Sequence, residues 1–310
     1  MTPSAAAPLL TVVTYHFVHP AERSVVPGLK HLELGAFVDQ LAHIRRHYTP
    51  IGAAELIRAL DEGATLPPQP VLLTFDDGYR CHYQDALPAL AAASIPAVFF
   101  PVASSALERR VLDVNKIQCV IAATPDISDL VQAIESELDS ATIAELRGRW
   151  WKRSRWDPEP VVYVKRLLQH ALPEQIRLPL VDGLFAALVS SDERSFADEL
   201  YMSVDELREV GGRGVTVGAH GDRHLRLPTL DTEAQAREID GALRILDAVG
   251  ASRRRFVYSY ANGEHDDRSI ALLRARDCAA AFTTGPDIAT LNESERFTLP
   301  RFDTNDLPAR

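Results

Sequence analysis

The sequence predicts an α/β fold in which a parallel β-sheet with crossover helices is interrupted by a long helical segment. Short apolar runs rich in β-branched residues alternate with longer segments of helical period, which is the pattern of strands joined by helices. The chain has 310 residues, whereas single (β/α) barrels reach roughly 250 residues. The length therefore allows one barrel that carries an insertion.

The elements of the sheet follow one another along the chain. Six apolar runs are predicted strands: residues 9–14, 71–75, 97–102, 215–217, 256–260 and 280–283. Apolar residues at helical spacing predict helices over residues 34–48 and 232–249. Ser203 and Glu206 form a capping-box pattern that opens a third helix.

The stretch from residue 104 to residue 200 has a different pattern and no convincing strand. Four helical segments are predicted in it: residues 127–137, 141–151, 160–171 and 173–189. We therefore predict one discontinuous barrel domain, formed by residues 1–103 and 201–310. Residues 104–200 are the predicted helical insertion and a candidate substrate cap.

The composition argues against several classes of protein. A net charge of −10 argues against a general nucleic-acid binder, and three distant cysteines without metal-ligand spacing fit a reducing compartment. The first residues lack a basic segment before their short apolar run. No run approaches the roughly 20 apolar residues of a membrane span. We expect a cytoplasmic protein with no membrane span.

Two adjacent carboxylates, Asp76 and Asp77, end the apolar run that starts at Val71. They could simply cap the next helix, because Asp is favoured at N-caps. However, two acids side by side raise each other's pKa unless a cation compensates them. A metal ion would supply that compensation.

A second apolar run ends in two histidines, His220 and His224, which are four residues apart. Alone, they could be unrelated surface histidines. Together with one carboxylate, two imidazoles form a ligand set that leaves open positions on Zn²⁺ or a similar divalent ion. A third run, residues 254–263, leads into a glycine turn where backbone N–H groups could face an oxyanion.

Together, these three segments resemble the polysaccharide deacetylase family, also called the NodB-homology or carbohydrate esterase family 4 group. Thr74-Phe-Asp-Asp-Gly-Tyr79 matches the first motif of the family, and His220-Gly-Asp-Arg-His224 keeps both histidines of the second. Gly221 stands where the family usually has Ser or Thr. The resemblance covers residues 8–102 and 201–306 and implies a distorted (β/α) barrel.

The resemblance implies a role for each motif residue. Asp77, His220 and His224 would hold a divalent metal ion, with Zn²⁺ the expected one. Asp76 would take a proton from the attacking water, and the backbone N–H near Asn262 would stabilise the oxyanion. We also expect two motif residues, Tyr79 and Tyr260, to contact the substrate.

Two residues of the family pattern are absent. The third motif lacks the arginine that normally holds the base; Arg301, at the end of the last predicted strand, could replace it or could pair with Asp303 on the surface. The late histidine that usually acts as general acid has no counterpart. His16, at the end of the first strand, could donate that proton, contact the substrate or simply bond to the backbone.

The predicted insertion contains all three tryptophans of the chain, beside several cations. Trp150 and Trp151 could stack on a sugar or base of an anionic substrate. Alternatively, they anchor the insertion and the neighbouring cations are solvated.

These features predict a metal-dependent hydrolase that removes an N-acyl group, acetyl or formyl, from an amino sugar. The expected cytoplasmic location points to a sugar-nucleotide precursor of a surface glycan. Two alternatives stay open: an amidohydrolase of the same fold that opens a cyclic amide, and a carbohydrate-binding barrel without catalysis, which the absent acid histidine leaves possible.

Overall fold

The computed structural model describes residues 7–307 of the chain. The outermost residues of the predicted barrel domain, 1–6 and 308–310, therefore lie outside the described residues. The strands are β1 Leu9–Tyr15, β2 Val18–His19, β3 Leu32–Glu33, β4 Thr49–Pro50, β5 Pro70–Asp77, β6 Ala97–Pro101, β7 Val215–Val217, β8 Val257–Ser259, β9 Ala280–Phe282, β10 Ala289–Thr290 and β11 Phe302–Asp303.

Helices connect these strands and fill the long segment between β6 and β7. The α-helices are α1 Leu34–His47, α2 Ala53–Glu62, α3 Leu87–Ala93, α4 Ala103–Glu108, α5 Asp113–Ala123, α6 Ile127–Glu135, α7 Ser140–Trp150, α8 Glu159–Arg166, α9 Glu174–Leu188, α10 Glu193–Leu200, α11 Val204–Gly211, α12 Thr232–Ala242, α13 Arg244–Val249 and α14 Asp267–Ala275. Two π-helical turns, His82–Ala86 and Leu167–Ala171, precede α3 and follow α8.

The main sheet has the order β10-β1-β5-β6-β7, with β11 paired to β1 and β4 to β5. All of its pairs are parallel except β1 with β10. The predicted parallel α/β arrangement is confirmed. Parallel neighbours bring the carboxyl ends of β1, β5 and β6 to one edge of the sheet, where ligands of α/β proteins are usually bound.

The sheet is not closed as one uninterrupted ladder, but main-chain hydrogen bonds continue beyond it. The Ala219 amide donates to the Val257 carbonyl oxygen over 3.1 Å, which joins the end of β7 to β8. Strand β8 pairs in parallel with β9. The Thr283 amide then donates to the Leu299 carbonyl oxygen over 2.9 Å, just before β11 returns to β1.

The strands alternate their side chains between two apolar clusters, as the pleat requires. On β1, Val13 and Tyr15 belong to one cluster and Leu10 and Val12 to the other. Helices α1, α3, α11, α12 and α13 contribute to the first cluster, and α2 contributes to the second. Both faces of the sheet are thus covered, which explains why its strands read as continuous apolar runs.

The chain divides by its contacts into two compact units. The first comprises the described residues of Met1–Glu22, His31–Arg109 and Asp198–Arg310. The second comprises Arg23–Lys30 and Arg110–Ala197. Residues 104–109, which the sequence interpretation placed in the insertion, group with the first unit, whereas residues 23–30 group with the second.

The second unit is helical in its described residues, with α5 packed on α9 and α8 on both α6 and α7. The Lys116 ammonium is buried in this unit and donates to Asp182 over 2.7 Å and to Glu193 over 3.0 Å. No helix in the described part of the chain is long and apolar enough to cross a membrane.

One predicted helix differs in the structure. The segment 232–249 forms two helices, α12 and α13, which meet at Leu243. Gly241, just before the break, lies so close to Asp222 that an added Cβ would come within 2.5 Å of that side chain. The close contact with Asp222 therefore favours glycine at residue 241. Because glycine has a low helix propensity, a continuous helix would favour another residue there.

Candidate active site

The last two residues of β5 carry the paired carboxylates. Asp77 has a backbone φ of 70°, and Gly78 follows with a φ of 71°. The left-handed region costs a non-glycine residue roughly 1–2 kcal/mol. A Cβ at Gly78 would come within 2.8 Å of the Pro101 side chain on neighbouring β6. Glycine therefore permits both the turn and the close approach of β6.

Asp77, His220 and His224 lie together as candidate metal ligands. Their ligand atoms are all within 4.8 Å of one another. Asp77 Oδ1 is 3.4 Å from His220 Nε2 and 3.5 Å from His224 Nε2. This oxygen is buried and, among the described residues, accepts no hydrogen bond. A buried acceptor that faces two imidazole nitrogens fits a divalent cation.

Hydrogen bonds orient two of these ligands. His220 Nδ1 lies 2.7 Å from the Ser259 carbonyl oxygen and must donate to it. The lone pair of Nε2 is therefore left to bind a metal ion. The Tyr79 hydroxyl donates to Asp77 Oδ2 over 2.6 Å. Ligand atoms on Asp77 and His220 are therefore fixed by their neighbours before any ion binds.

Asp76 is held by Arg301 in a fully buried pair. The guanidinium donates from Nη1 to Oδ1 over 2.9 Å and from Nη2 to Oδ2 over 2.7 Å. It also donates to the Thr283 carbonyl oxygen over 2.8 Å, to Thr74 Oγ1 over 3.1 Å and to Ser259 Oγ over 3.0 Å. The structure thus places Arg301 beside Asp76 and not in a surface pair with Asp303.

The electrostatics of the two carboxylates differ from those of ordinary acids. Burial raises the pKa of Asp76, but the charge of Arg301, with that of His220, outweighs it and holds this pKa well below its usual range. Burial also raises the pKa of Asp77, and the imidazoles of His220 and His224 outweigh it. Both groups are carboxylates at neutral pH.

The two histidines shift in opposite directions. Burial lowers the pKa of His224 to about 4, with Asp77 offsetting only part of this effect. Burial also lowers the pKa of His220, but the carboxylates of Asp76 and Asp77 reverse the shift and the net pKa is raised. A neutral His224 is ready to accept a cation.

His16 lies at the carboxyl end of β1 and is exposed. Its charge contributes to the lowered pKa of both Asp76 and Asp77, which places it near the carboxylates. The buried His82 donates from Nε2 to the His16 carbonyl oxygen over 2.6 Å. Burial lowers the pKa of His82 to about 4, so His82 is neutral at pH 7 and fixes the backbone of His16.

The other predicted site residues have varied environments. Tyr79 and Tyr260 are buried; Tyr79 binds Asp77, and Tyr260 stacks on His265 with ring centroids 5.1 Å apart. This geometry gives Tyr79 an orienting contact with Asp77 instead of an exposed face for substrate. Asn262 is exposed in the turn after β8 and has a φ of 58°, so it lies in the left-handed region, as Asp77 and His224 do.

Trp150 and Trp151 lie in the second unit. Trp150 packs near His170 and has Arg149 4.9 Å above its ring. Trp151 packs against Arg147 and Tyr163 and lines a cavity of about 640 Å³ within this unit. Their contact with substrate stays a prediction.

Sequence reasoning missed the side chain of Ser259, which receives a hydrogen bond from Arg301 and lies 3.3 Å from Asp76 Oδ2. The signal was a hydroxyl in an otherwise apolar strand end. His82 was expected to be structural or solvated, and the structure gives it a structural contact with the backbone at residue 16, which its sequence context did not indicate.

Comparisons with known proteins agree with this arrangement. The family model for polysaccharide deacetylase matches residues 63–137 and 189–281, more than half of the chain. The parallel sheet, with its paired carboxylates and histidines, thus belongs to a fold of carbohydrate-modifying hydrolases. The chain belongs to the polysaccharide deacetylase family, as its motifs predicted.

Individual relatives refine the comparison. A segment of 70 residues is 41% identical to the poly-β-1,6-N-acetyl-D-glucosamine N-deacetylase of Escherichia coli K12, and covers 22% of this chain and 10% of that protein. The matched segment thus spans about a tenth of the length of that relative.

Solved structures show the same fold at low sequence identity. The deacetylase PplD of Streptococcus pyogenes, described in complex with acetate, has a TM-score of 0.58 at 14% identity, over 96% of this chain and 92% of its own. IcaB of Ammonifex degensii has a TM-score of 0.56 at 17% identity, over 97% and 93%. The predicted NodB-type fold is confirmed.

Proposed function

We propose that this chain is a metal-dependent N-deacetylase that hydrolyses the N-acetyl group of an amino sugar in a glycan or glycan precursor. One observation carries the proposal. A buried, unsatisfied carboxylate oxygen of Asp77 faces Nε2 of His220 and of His224, directly beside a second carboxylate that Arg301 holds in place.

Asp77, His220 and His224 would hold the metal ion. Three protein ligands leave a position open for water or substrate, as catalytic zinc sites do. Zn²⁺ is the ion we propose, because two imidazoles and one carboxylate suit it. When bound, such an ion supplies Lewis-acid chemistry, which polarises an amide carbonyl and makes water more acidic.

Asp76 is the proposed proton acceptor. Its low pKa keeps it ionised, and a carboxylate retains lone pairs on both oxygens after accepting the two Arg301 bonds. The same low pKa makes it a weak base, so it can take a proton only from water that is already acidified. Arg301 fixes the orientation of the Asp76 carboxylate. Without Arg301 the carboxylate would be mobile and would lose this orientation.

His16 and the backbone near Asn262 would complete the reaction. His16 is the exposed titratable side chain at the end of β1, and we propose that it protonates the leaving amine. The left-handed φ of Asn262 turns the main chain sharply after β8, and we propose that an N–H group of this turn stabilises the oxyanion. Hydrolysis then yields acetate and a free amino sugar.

Two observations bear on the form of the substrate. The sequence relative from E. coli is named for a polymer, poly-β-1,6-N-acetyl-D-glucosamine, which favours a polymeric N-acetylglucosamine substrate. The cytoplasmic location proposed from cysteine usage favours a sugar nucleotide. Both forms present the same N-acetyl group to the site.

Acetate release tests the proposal. Purified protein is assayed for bound metal and then with polymeric, nucleotide-linked and free N-acetylglucosamine. We expect about one metal ion per chain, acetate release from the polymer or nucleotide-linked substrate, and little release in Asp76→Asn. Asp39→Asn, an equal change of charge on the exposed face of α1, should retain full activity. Turnover unchanged in Asp76→Asn would overturn the mechanism.

A further inference from the structure

The loop that follows β7, residues 220–225, carries both histidine ligands and is called here the histidine loop. Helix α4 holds its first half, because the Ala103 amide donates to the Gly221 carbonyl oxygen over 3.1 Å and the Ser104 amide donates to the Asp222 carbonyl oxygen over 2.9 Å. The second half, which contains His224, needs a different partner.

That partner is Glu238 on α12. Its Oε1 accepts hydrogen bonds from the Arg223 amide over 2.9 Å and from the Leu225 amide over 3.1 Å. These amides flank His224 on both sides. One buried oxygen atom thus fixes the main chain immediately before and after the second histidine ligand.

The backbone of the loop requires such a restraint. His224 has a φ of 60° and Gly221 a φ of 83°, so His224 lies in a region that costs a non-glycine residue about 1–3 kcal/mol unless its surroundings hold it there. The hydrogen bonds from the Arg223 and Leu225 amides to Glu238 restrain the main chain on both sides of His224.

Two features favour glycine at residue 221: its backbone φ of 83° and the close approach of Glu238. A Cβ at this position would come within 2.7 Å of Glu238 Oε1. With the Ser or Thr expected from the family resemblance, the carboxylate that binds the loop would have to shift from this position. The space that Gly221 leaves is occupied by the Glu238 oxygen.

The placement of Glu238 is costly for a purely structural residue. Its side chain is only 4% exposed, and among the described residues it forms no ion pair with Lys, Arg or His. A buried carboxylate without a cation loses its hydration, and two hydrogen bonds from backbone amides replace that hydration only in part. An apolar side chain would fill the same space at lower cost, but it could not accept the hydrogen bonds of the Arg223 and Leu225 amides.

We propose that Glu238 is a positioning residue that holds His224 in the metal-binding geometry before the metal ion binds. The inference rests on the proposed metal site of Asp77, His220 and His224. Loss of the partners that orient a metal ligand typically weakens metal affinity about 10- to 100-fold, because binding must then also order the ligand.

Two variants separate positioning from packing. Glu238→Leu fills the space but removes the acceptor, whereas Glu238→Gln keeps an oxygen that can accept both amide hydrogen bonds. Glu233→Gln is the matched control, because Glu233 lies on the same helix with a side chain 85% exposed. All are compared as full-length, metal-stripped proteins in Zn²⁺ titrations against a competing chelator.

We expect Glu238→Leu to weaken Zn²⁺ binding about 10- to 100-fold, and Glu238→Gln and Glu233→Gln to stay within about threefold of the parent. Equal affinity in Glu238→Leu and the parent would overturn the inference, as would equally weak binding in both Glu238 variants. A parent protein that binds no Zn²⁺ would instead refute the proposed function.

Amide hydrogen exchange gives a readout that does not depend on activity, and its first measurement, on the parent protein, needs no variant. In the metal-free parent protein, NMR should show slow exchange at the amides of Arg223 and Leu225. In Glu238→Leu those two amides should exchange faster, whereas the Ala103 and Ser104 amides, which bind the other half of the loop, should be unchanged. Fast exchange at 223 and 225 in the metal-free parent would contradict a loop positioned in advance.

Discussion

Replacing Arg301 with methionine tests whether the pair with Asp76 is essential to the folded site. Both side chains are buried, with exposures of 0% and 3%. Arg301→Met keeps most of the side-chain volume but leaves the Asp76 carboxylate without its cation and the Thr283 carbonyl without its donor. Breaking a buried ion pair in this way costs about 3–5 kcal/mol, which is the expected loss in the free energy of unfolding.

Urea denaturation of the metal-free protein at pH 7 measures this loss. Asp76→Asn combined with Arg301→Met removes both charges, so the double variant should be more stable than Arg301→Met alone. Arg254→Met is the control, because the Arg254 side chain is 88% exposed and its ion pair with Asp277 is long, at 3.4 Å. Exposed pairs contribute at most about 1 kcal/mol.

The pH dependence of the free energy of unfolding gives a second readout of the Asp76–Arg301 pair. Because Arg301 depresses the pKa of Asp76 in the folded state, the pair stabilises the protein above the unfolded pKa of about 3.9. That stability is lost as the pH falls through the lower, folded pKa. The stability difference between the parent and Arg301→Met should therefore shrink on acidification.

Two outcomes would refute this reasoning. The first is an Arg301→Met variant as stable as Arg254→Met, which would show that the buried pair contributes no more than an exposed one. The second is a double variant less stable than Arg301→Met, which would show that the loss arises from packing and not from the unpaired carboxylate.

The remaining predictions concern metal, backbone and capping. Chelation should reduce acetate release to background, with Zn²⁺ restoring it; activity that survives complete metal removal would contradict the site. His16→Gln should lower kcat about 10²- to 10⁴-fold with bound metal unchanged, and a smaller effect would exclude it as the general acid. Gly78→Ala should cost at least about 2 kcal/mol, since overpacking alone costs about 1–3 kcal/mol; Gly63→Ala, at a similar φ of 66° but with nothing within 4 Å, should cost less. Asp266→Ala should cost about 0.5–2 kcal/mol by removing the N-cap of α14. Burial raises the pKa of Asp266, but its hydrogen-bond partners outweigh burial and lower this pKa to about 2. The loss of stability in Asp266→Ala should therefore be present above pH ~4 and fade as the pH falls toward the folded pKa. Denaturation at several pH values would show this.

The sequence predicted those parts of the site that local patterns encode. Asp76 and Asp77 end a strand whose apolar residues are continuous in sequence, and His220 and His224 end another. Parallel strands then bring these ends to one edge, so the motifs and the fold class together place the ligands. The bounds of β7 and the capping box of α11 also agree with the structure.

Long-range and short elements were harder to predict. Arg301 reaches Asp76 across 225 residues, and its sequence context fitted a surface pair with Asp303 equally well. Residues 23–30 group with the helical unit although no local pattern connects them to it. Strands of two residues, such as β2 and β3, are too short to show a period of two. Glu238 looks like an ordinary helix glutamate until its two amide partners are known.

The distance along the chain between Asp76 and Arg301 also has a consequence for synthesis. A ribosome that adds about 5–20 residues per second needs about 10–45 seconds to make the intervening 225 residues. Strand β6 is made early in that interval, after β1 and β5, but the carboxylate at the end of β5 still has no guanidinium to pair with. The nascent chain therefore cannot complete this edge of the sheet until residue 301 has been made. A truncation before residue 301 should leave this edge of the sheet open to proteases.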